Sequence, residues 1–505
     1  MDKYDVIIIG SGLGGLTAGA KLSKEGKRVL LIEQHIIPGG CATTFKRKDY
    51  IMEVGLHEMD GLDKSDIKTK IFHDLGVFDN IKLLKLPEFY RFTNSRVDIV
   101  VPDNTAKAIQ VLTEEFPGEE KGIKKYFRTI HGIRKEIKRL PRENWKLLLL
   151  MPIFPAVFPY ILRYQSKTLG KFLDSIINNE DLKLVLLANL QYYHDNPHTM
   201  SLLYYSAGQG GYYHGGYFIK GGSQKLSDYL AQVIKNNNGE VIFQNLVTKI
   251  ITENNKAIGV EYQGTFNKTG ETNKVFANTI IANAAIPDVA NTLLAPGVSQ
   301  KLKNKTEKLE TSCSLISVYI GFKRPVKELG NKHYSTFIFD ESVKSQKDMI
   351  TNHHGDFSKR NIVFVDYSQI DSGLTPPDKS FGVICTVDYL SDWENLSPEE
   401  YKNKKEEIAQ IFFERLEKGI PGVKDEIDYY EVGTSKTIQR FTLNTDGAQY
   451  GYAQTPKQAG LKRIQNKSLI ENLYFASAWT MPGGGFTGAI LSGWFCAEEV
   501  LRKKH

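Results

Sequence analysis

The opening of the chain constrains its fold more than any other feature. Residues 6–9 are apolar and β-branched, which predicts a short strand buried on both faces. A glycine loop with the spacing GxGxxG follows at once, and then a helical pattern. In this arrangement the glycines permit a tight turn, a close approach of backbone to a pyrophosphate and close helix packing, while free helix N–H groups bind the anion. We predict a dinucleotide site contacted by Gly10, Gly12, Leu13, Gly14 and Gly15.

A second strand and an acid complete this unit. Residues 28–32 read as a buried strand that ends at Glu33. The carboxylate falls about 20 residues after the loop, where an acceptor for a ribose hydroxyl is expected. An acid there would repel a 2′-phosphate, which disfavours NADP. We therefore predict contacts from Glu33 and Gln34, and the next segment distinguishes FAD from NAD.

That segment is a second glycine turn at residues 38–41, followed by Thr44 and by the stretch YIMEVGLH at residues 50–57. Here the chain resembles the flavin-dependent amine oxidase superfamily, and within it the carotenoid and retinoid branch of phytoene-type desaturases, carotenoid isomerases and retinol saturases. The resemblance implies FAD and contacts from Gly39, Gly40, Thr44, Gly55 and His57. The arginine that the superfamily often carries after the two glycines is replaced by Cys41, and we consider Lys46 or Arg47 as substitutes for its charge.

Later segments match the same family. Residues 239–262 predict a strand and a hairpin, and residues 279–284 predict a strand that returns to the cofactor domain. Near the C-terminus, a strand-like run leads into the sequence PGGG at residues 482–485 and then into a helix. In relatives these pieces touch adenine, the ribityl chain and the flavin ring. The resemblance implies cofactor contacts from Val247, Asn283, Gly485, Phe486, Thr487 and Ala489.

The resemblance also implies a fold. We expect an α/β protein with a Rossmann-like FAD-binding domain of the amine oxidase type, an α+β substrate-binding domain and a membrane-contacting helical part. The FAD-binding domain is expected from segments 1–75, 206–300 (with a hairpin on the adenine side) and 466–505. Residues 76–205 are expected to form the helical substrate and membrane part, and residues 301–465 a mixed substrate-binding sheet.

An apolar segment at residues 147–162 carries no charge. As one helix it would span about 24 Å, less than the ~30 Å hydrocarbon core of a bilayer, and its three prolines would interrupt it. Basic residues flank it on both sides, which suits insertion into one leaflet of an anionic membrane. Two alternatives stay open: a membrane-surface segment and a buried element of the substrate domain. No signal segment precedes the first strand, so we expect a peripheral protein on the cytoplasmic side.

Composition excludes several other classes. The net charge of +7 is spread over 65 basic and 58 acidic residues with no basic run, which disfavours nucleic-acid binding. The four cysteines are scattered without a CxxC pair, so we predict no metal or iron–sulfur site. No hydrolase or nucleotidase motif is found, and we therefore expect the cofactor to carry the chemistry.

The function predicted from the resemblance is FAD-dependent desaturation of a carotenoid. A hydride would pass from an apolar polyene C–H to flavin N5 and a proton would be lost, which extends conjugation. His57 and Glu58 are the candidate catalytic residues, because either side chain could accept that proton. A quinone or O2 would serve as the electron acceptor.

Alternatives share the fold or depart from it. A saturase or a cis–trans isomerase of carotenoids or retinol would use the same site, and the turn at residues 55–57 leans toward that branch. A flavin-bearing carotenoid-binding protein without turnover belongs to another class. An amine oxidase is disfavoured, since soluble amines need no apolar segment at the membrane.

Overall fold

The computed structural model describes residues 4–142, 144–266 and 271–502 of the chain. Its strands are β1 Tyr4–Ile9, β2 Val29–Ile32, β3 Thr44–Arg47, β4 Tyr50–Glu53, β5 Met59–Asp60, β6 Leu83–Lys85, β7 Tyr90–Thr93, β8 Asp98–Val101, β9 Gly216–Ile219, β10 Glu240–Ile242, β11 Asn245–Glu253, β12 Lys256–Gly264, β13 Asn273–Ala282, β14 Ser314–Phe322, β15 Ser335–Ile338, β16 Ile362–Asp366, β17 Ser380–Asp388, β18 Ile427–Gly433 and β19 Leu473–Phe475.

Its α-helices are α1 Leu13–Lys24, α2 Ile67–Leu75, α3 Val77–Asn80, α4 Thr105–Glu115, α5 Glu120–Arg139, α6 Asn144–Leu150, α7 Phe154–Val157, α8 Pro159–Tyr164, α9 Leu169–Asp174, α10 Glu180–Leu186, α11 Leu202–Tyr212, α12 Gln224–Asn236, α13 Ile286–Asp288, α14 Pro296–Thr306, α15 Gln346–His353, α16 Pro398–Gly419, α17 Ser435–Thr442 and α18 Gly485–Arg502. Single 3₁₀ turns occupy Met151–Ile153, Leu190–Tyr192, Val326–Leu329, Tyr367–Gln369, Leu390–Asp392, Lys424–Glu426, Thr445–Gly447 and Gly460–Lys462, and Val289–Leu293 is a π turn.

The first sheet has the Rossmann-like form that the sequence predicts. Strands β10, β2, β1, β13 and β19 run parallel in that order, and the hairpin β11–β12 pairs antiparallel with the first half of β13. Strand β2 is buried along its whole length, as the apolar run predicts for a parallel strand covered on both faces. Helices α12 and α18 pack against α1. The sheet therefore draws its strands from the two ends and the middle of the chain.

The second sheet has the order β18-β14-β17-β16-β15-β7-β8 and is antiparallel except between β15 and β7. Strand β14 shows how its two faces differ. Val318 and Ile320 belong to a core with Phe412 of α16, whereas Tyr319 between them belongs to the core around the first sheet. One face of this sheet is thus covered by α16, and the other face looks toward the first sheet.

Residues 76–205, expected to be helical, also contain strands. Strands β7 and β8 extend the second sheet, and β6 pairs with β9 in a three-stranded sheet. The local pattern explains β7: Tyr90 and Phe92 are buried, while Arg91 and Thr93 between them are half-buried. This period of two is typical of a strand with one covered face.

The apolar segment folds as short helical pieces. Prolines fall at the starts of α7 and α8 and in the 3₁₀ turn before them, so α6, α7 and α8 follow one another without forming a single helix. The buried carboxylate of Glu136 on α5 accepts the N–H groups of Tyr160 (3.1 Å) and Ile161 (2.8 Å) and fixes the start of α8. Within residues 4–142, 144–266 and 271–502, no helix is long and apolar enough to cross a membrane.

Candidate cofactor and substrate site

A single cavity of about 1950 Å³ lies between the two sheets. Its walls include every residue predicted to contact the cofactor except Gly15, together with both predicted catalytic residues. The lining residues from that prediction are Gly10, Gly12, Leu13, Gly14, Glu33, Gln34, Gly39, Gly40, Thr44, Gly55, His57, Glu58, Val247, Asn283, Gly485, Phe486, Thr487 and Ala489. The structure therefore brings together residues that are separated by more than 400 positions in sequence.

The first glycine loop has no room for side chains. A Cβ on Gly14 would lie 2.0 Å from the carbonyl oxygen of Ala476, and one on Gly10 would lie 2.7 Å from that of Asn283. Gly15 does not line the cavity, because it packs against the backbone of Gly10. A Cβ built on Gly15 would lie 2.3 Å from the carbonyl oxygen of Gly10. That contact is the helix-packing role expected of the third glycine. The loop is a cradle of bare backbone, which fits a pyrophosphate at the start of α1.

Glu33 holds this loop in place. Its buried carboxylate accepts the backbone N–H and the hydroxyl of Ser11 at 2.7 and 2.6 Å, and the N–H of His35 at 2.8 Å. Oε2 accepts both bonds from Ser11, whereas Oε1 accepts only the bond from His35 and keeps capacity for a further donor in the cavity that Glu33 lines. The acid can therefore position the glycine loop and also receive a ribose hydroxyl.

The second glycine turn packs directly on the first. The N–H of Gly39 donates to the carbonyl of Ser11 at 2.9 Å, and a Cβ on Gly40 would lie 3.4 Å from the Cα of Gly12. Both Gly39 and Gly40 have positive φ, a conformation that favours glycine. Burial raises the pKa of the neighbouring Cys41 thiol to about 11, so the thiol is uncharged at neutral pH.

The residues considered as substitutes for the missing arginine lie on β3. Lys46 and Arg47 are both exposed, and Arg47 Nε donates to Glu431 at 2.9 Å. Arg47 lines the cavity but its charge is already paired. Its proposed contact with a cofactor phosphate stays a prediction.

The C-terminal PGGG turn is packed by side chains from distant segments. A Cβ on Gly483 would lie 2.0 Å from Nε2 of Gln454, and one on Gly484 would lie 2.6 Å from the Cα of Tyr450. Helix α18 begins at Gly485, directly after this turn. Its first-turn hydroxyl, Thr487, accepts from Lys68 at 2.9 Å. The free N–H groups of an 18-residue helix thus open into the cavity.

Residues 53–57 form a rigid turn along the cavity wall. The buried carboxylate of Glu53 accepts the N–H groups of Gly55 (3.2 Å) and Leu56 (2.9 Å). It also accepts the N–H and the hydroxyl of Ser223 at 2.6 and 2.7 Å, which joins the turn to the start of α12. Four donors compensate the desolvation of a carboxylate that burial would otherwise make costly.

Three tyrosine hydroxyls hold the same turn, from Tyr319 in β14, Tyr334 directly before β15 and Tyr367 directly after β16. Tyr319 donates to the carbonyl of Val54 at 3.1 Å, Tyr367 to that of Leu56 at 2.9 Å, and Tyr334 to that of His57 at 2.7 Å. We call Tyr319, Tyr334 and Tyr367 the tyrosine clamp. The turn forms one wall of the cavity and the tyrosine clamp lies on the opposite wall. The three hydrogen bonds therefore fix the distance between these two walls.

His57 and Glu58 line the cavity at the end of this turn. Burial lowers the pKa of His57 to about 4, and its Nδ1 lies 2.8 Å from the hydroxyl of Tyr192. Burial and the nearby negative charges of Asp103 and Asp60 raise the pKa of Glu58 well above its usual range. Among the residues that the structure describes, Oε1 of Glu58 has no hydrogen-bond partner. At neutral pH the imidazole is therefore uncharged, and the environment of Glu58 favours the protonated form of its carboxyl group.

The part of the cavity beyond this turn is aromatic. Ten rings line it: Phe89, Tyr90, Tyr192, Tyr193, Tyr204, Tyr212, Tyr319, Tyr334, Phe337 and Tyr450. Several hydroxyls are bonded to backbone, such as Tyr90 to Val185 at 2.8 Å and Tyr204 to Gly484 at 3.1 Å. With their polar ends occupied, the rings present apolar faces to the cavity. This region can accept a flat apolar molecule beside the cofactor residues.

Sequence reasoning missed the tyrosine clamp and the role of Ser223. The clamp residues lie at the ends or middle of strands with no motif around them, and only the structure shows that their hydroxyls converge on one turn. The aromatic pairs at positions 192–193, 204–205 and 212–213 divide between the cavity wall and the core. Tyr192 and Tyr212 line the cavity, while Tyr205 is fully buried.

Comparisons with known proteins agree with this geometry. The family model of flavin-containing amine oxidoreductases matches residues 13–501, nearly the whole chain. Prolycopene isomerase 1 of an Oncidium hybrid cultivar is 26% identical over 99% of this chain and 84% of its own length. All-trans-retinol 13,14-reductase of Danio rerio is 26% identical over 99% of this chain and 86% of its own.

Solved structures show the same fold. Putrescine oxidase bound to putrescine superposes with a TM-score of 0.66 at 16% identity, over 99% of this chain and all of the other. An oxidoreductase from Methanosarcina mazei gives a TM-score of 0.62 at 16% identity, with coverage of 99% and 100%.

Proposed function

Because this chain belongs to the flavin-containing amine oxidoreductase family and binds FAD, we propose that it reduces a carbon–carbon double bond of an apolar polyene of the carotenoid or retinoid class. One observation carries the direction of the reaction: Glu58 lines the cavity, and its burial beside Asp103 and Asp60 raises the pKa of its carboxyl group and favours the protonated form. The two curated relatives, by name an isomerase of prolycopene and a reductase of retinol, support the substrate class.

The cavity suits such a substrate. Several tyrosine hydroxyls of its aromatic half, those of Tyr90, Tyr204 and Tyr334, are bonded to backbone carbonyls, so an apolar ligand would not leave them unsatisfied. A conjugated chain is flat and stiff, and stacking on aromatic faces favours it. The bonded turn at residues 53–57 lies between this half and the glycine loops.

The side chains of this chain bear on the source of the proton, and the hydride chemistry belongs to the cofactor. When bound, FAD supplies the hydride chemistry. Saturation of a double bond also requires one proton, which a neutral carboxylic acid at Glu58 can donate. Desaturation, the reaction implied by the family resemblance, requires a group that accepts a proton, and burial of Glu58 favours the protonated form instead. His57 is uncharged and bonded to Tyr192, and it positions the turn beside Glu58.

Cis–trans isomerisation is the second candidate. It uses the same cavity and consumes no reductant overall, and the similarity to prolycopene isomerase favours it. An acid that donates a proton and recovers it would serve isomerisation as well as saturation. Product analysis separates the two.

The test uses the FAD-loaded protein, reduced with dithionite under anaerobic conditions, with all-trans-retinol or lycopene in detergent micelles. Saturation shortens the conjugated chain and shifts absorption to the blue. The variant Glu58→Gln removes the proton but keeps the shape, and we expect its rate to fall about 100-fold or more, within the usual contribution of a general acid. Glu341→Gln on the exposed surface is the control and should leave the rate unchanged.

Other outcomes would revise the proposal. A red shift with oxidised protein would identify a desaturase, and altered isomer retention without a change of mass would identify an isomerase. A Glu58→Gln variant as active as the parent would remove Glu58 from the mechanism. A protein that binds polyene with no turnover in either redox state would be a carrier.

We further propose that the protein reaches its substrate at a membrane surface. The docking surface consists of Trp145, Leu148, Leu149, Met151 and Ile153, which are 51–70% exposed. Leu147 on the same helix lines the cavity, so the surface adjoins one mouth of the site. Exposed Lys146 and Arg163 flank it and favour an anionic bilayer. A quinone dissolved in that bilayer, or O2, would exchange electrons with the enzyme.

Flotation with vesicles of phosphatidylglycerol and phosphatidylcholine tests this surface. We expect the variant Leu148→Ser with Leu149→Ser to lose most of its vesicle binding while it keeps FAD. Leu469→Ser removes another exposed leucine and should bind like the parent protein. Equal flotation of all three proteins would refute the docking surface.

A further inference from the structure

Arg463 is buried without an acidic partner. Its side chain is 2% exposed, and no carboxylate of the described chain lies within ion-pair distance of its guanidinium. Buried arginines are ordinarily paired, because an isolated charge in the protein interior is costly. Arg360 illustrates the ordinary case: it is equally buried, and its guanidinium donates to Asp392 at 2.8 Å.

Within the described part of the chain, the hydrogen bonds of the Arg463 guanidinium all go to backbone carbonyls. It donates to Ala478 at 2.7 Å and Thr480 at 2.9 Å, and to Tyr452 at 3.0 Å and Tyr450 at 3.4 Å. Two separate loops, residues 450–452 and 478–480, are thereby joined. Carbonyl dipoles carry only partial negative charge, so the net positive charge of the side chain is not neutralised.

This cation lies directly behind the cavity wall. Two of the four carbonyls belong to Tyr450 and Ala478, and both of these residues line the cavity. Tyr450 also packs on Gly484 of the PGGG turn, where helix α18 begins. The charge is therefore separated from the cavity by one layer of backbone, on the side where the positive end of the α18 dipole opens.

Arg463 stays charged across the physiological range. Burial lowers the pKa of its guanidinium to about 10, which is still well above neutrality. The titratable groups nearest to it are the phenols of Tyr204 and Tyr452, and burial raises the pKa of both. Neither phenol supplies a compensating negative charge at neutral pH.

We propose that Arg463 is a fixed cation that raises the reduction potential of the bound FAD. Two-electron reduction of FAD with uptake of one proton leaves a negative charge on its ring system, and a nearby cation in a region of low dielectric stabilises that product. The inference depends on FAD binding and is independent of the polyene reaction. Arg463 acts as a positioning and electrostatic residue, since it contacts loops rather than the substrate.

The experiment compares Arg463→Gln, Arg463→Lys and Arg360→Gln with the parent protein. The midpoint potential is measured by equilibration with reference dyes, and sulfite, an anion that adds to the oxidised flavin, is titrated separately. For Arg463→Gln we expect a more negative potential and sulfite binding weakened about tenfold or more. Arg463→Lys keeps the charge, so we expect it to retain most of the midpoint potential and of the sulfite affinity. Its melting temperature should fall, because an ammonium group cannot make all four hydrogen bonds of the guanidinium.

Arg360→Gln is the control for a purely structural role. It removes a buried guanidinium just before β16 that does not line the cavity, and should lower the melting temperature without changing the potential. An Arg463→Gln protein that holds FAD with the potential of the parent would overturn the proposal.

If Arg463→Gln does not retain FAD, the proposal is tested by the pH dependence of the midpoint potential of the parent protein. A fixed cation predicts that reduction takes up one proton for two electrons from mildly acidic to alkaline pH, which the slope of potential against pH reports. A slope of two protons across that whole range would overturn the proposal as well. None of these readouts uses a polyene, so failure of the proposed function would leave them interpretable.

Discussion

The two halves of the cavity are built in different ways. The cofactor half is a surface of bare backbone, where Gly10, Gly12 and Gly14 approach carbonyls and side chains that leave no room for a Cβ. The substrate half is a surface of aromatic rings, and tyrosine hydroxyls hold its geometry, as Tyr334 does on the carbonyl of His57. Backbone surfaces arise from local motifs that a sequence displays. Side-chain surfaces arise from residues that meet only in the folded chain.

The largest expected effect is a loss of FAD affinity when a side chain is added to the backbone surface of the cavity. In Gly14→Ala the new Cβ would lie 2.0 Å from the carbonyl oxygen of Ala476, and neither atom can move without shifting a strand or a helix. We expect FAD affinity to fall by more than about 100-fold and stability to fall by roughly 1–3 kcal/mol, the usual cost of overpacking. Flavin absorbance after gel filtration measures retention.

A matched alanine serves as the control. Gly297 in α14 has no neighbouring atom within 4 Å of a hypothetical Cβ, so Gly297→Ala should keep FAD and stabilise the helix slightly. A Gly14→Ala protein that purifies fully yellow would show that the cradle tolerates a side chain. The interpretation of the glycine loop would then be wrong.

The second effect weakens the side-chain half. Tyr334→Phe leaves the ring in place but removes the bond to the buried carbonyl of His57. An unsatisfied buried carbonyl costs about 1–3 kcal/mol, and we expect the free energy of unfolding to drop by that amount while FAD stays bound. Denaturant titration gives the value.

Tyr430→Phe is the comparison for this variant. Its hydroxyl bonds to the exposed Glu406, where water can replace the lost partner, so the change should stay below about 0.5 kcal/mol. Equal losses in the two variants would mean that the tyrosine clamp adds nothing beyond an ordinary surface hydrogen bond.

The smallest expected effect is a pH-dependent difference in stability between the parent protein and a variant of Glu58. The pKa of Glu58 is raised in the folded protein from its ordinary value of 4.5, so the folded state binds the proton more tightly than the unfolded state. This stabilisation is complete below pH 4.5 and is lost as pH rises toward the folded-state pKa. We expect Glu58→Gln to be more stable than the parent at alkaline pH, by on the order of 1 kcal/mol per pKa unit traversed, and no more stable in acid.

Melting curves from mildly acidic to alkaline pH measure this difference, with Glu341→Gln as a variant that should show none. A difference that is constant with pH would indicate that Glu58 is ionised in the folded protein. The proton that the proposed reduction requires would then have to come from another group.

Local signals in the sequence identified many residues that line the cavity beside the first sheet, and their contacts with FAD stay predictions. The apolar run at residues 6–9, the glycine spacing and Glu33 are local signals, and all of these residues meet in the first sheet and its loops. Even so, the sequence did not show that Glu33 binds Ser11 as well as facing the cavity, because that bond depends on the conformation of the loop.

The substrate half was predicted only in outline. Tyr319 lies in a strand whose neighbours Val318 and Ile320 face the opposite core, so nothing local distinguishes its role from packing. Arg463 lies in a loop with no motif, and its burial follows from two loops that close over it. The prolines of the apolar segment correctly predicted that it would not form one continuous helix. Which of its side chains are exposed depends on packing against α5 and on the bond to Glu136, and neither can be read from the segment's own sequence.

The order of strands in the first sheet has a consequence for biosynthesis. Strand β1 pairs with β13, β13 pairs with β19, and α1 contacts α18, so the strand that opens the sheet gains all of its final neighbours only after residues 473–502 have been synthesised. Local pairing of β1 with β2 can form early, whereas the long-range pairing must wait for these later residues. We expect flavin capture to follow their synthesis, and nascent chains stalled before residue 473 to carry no flavin.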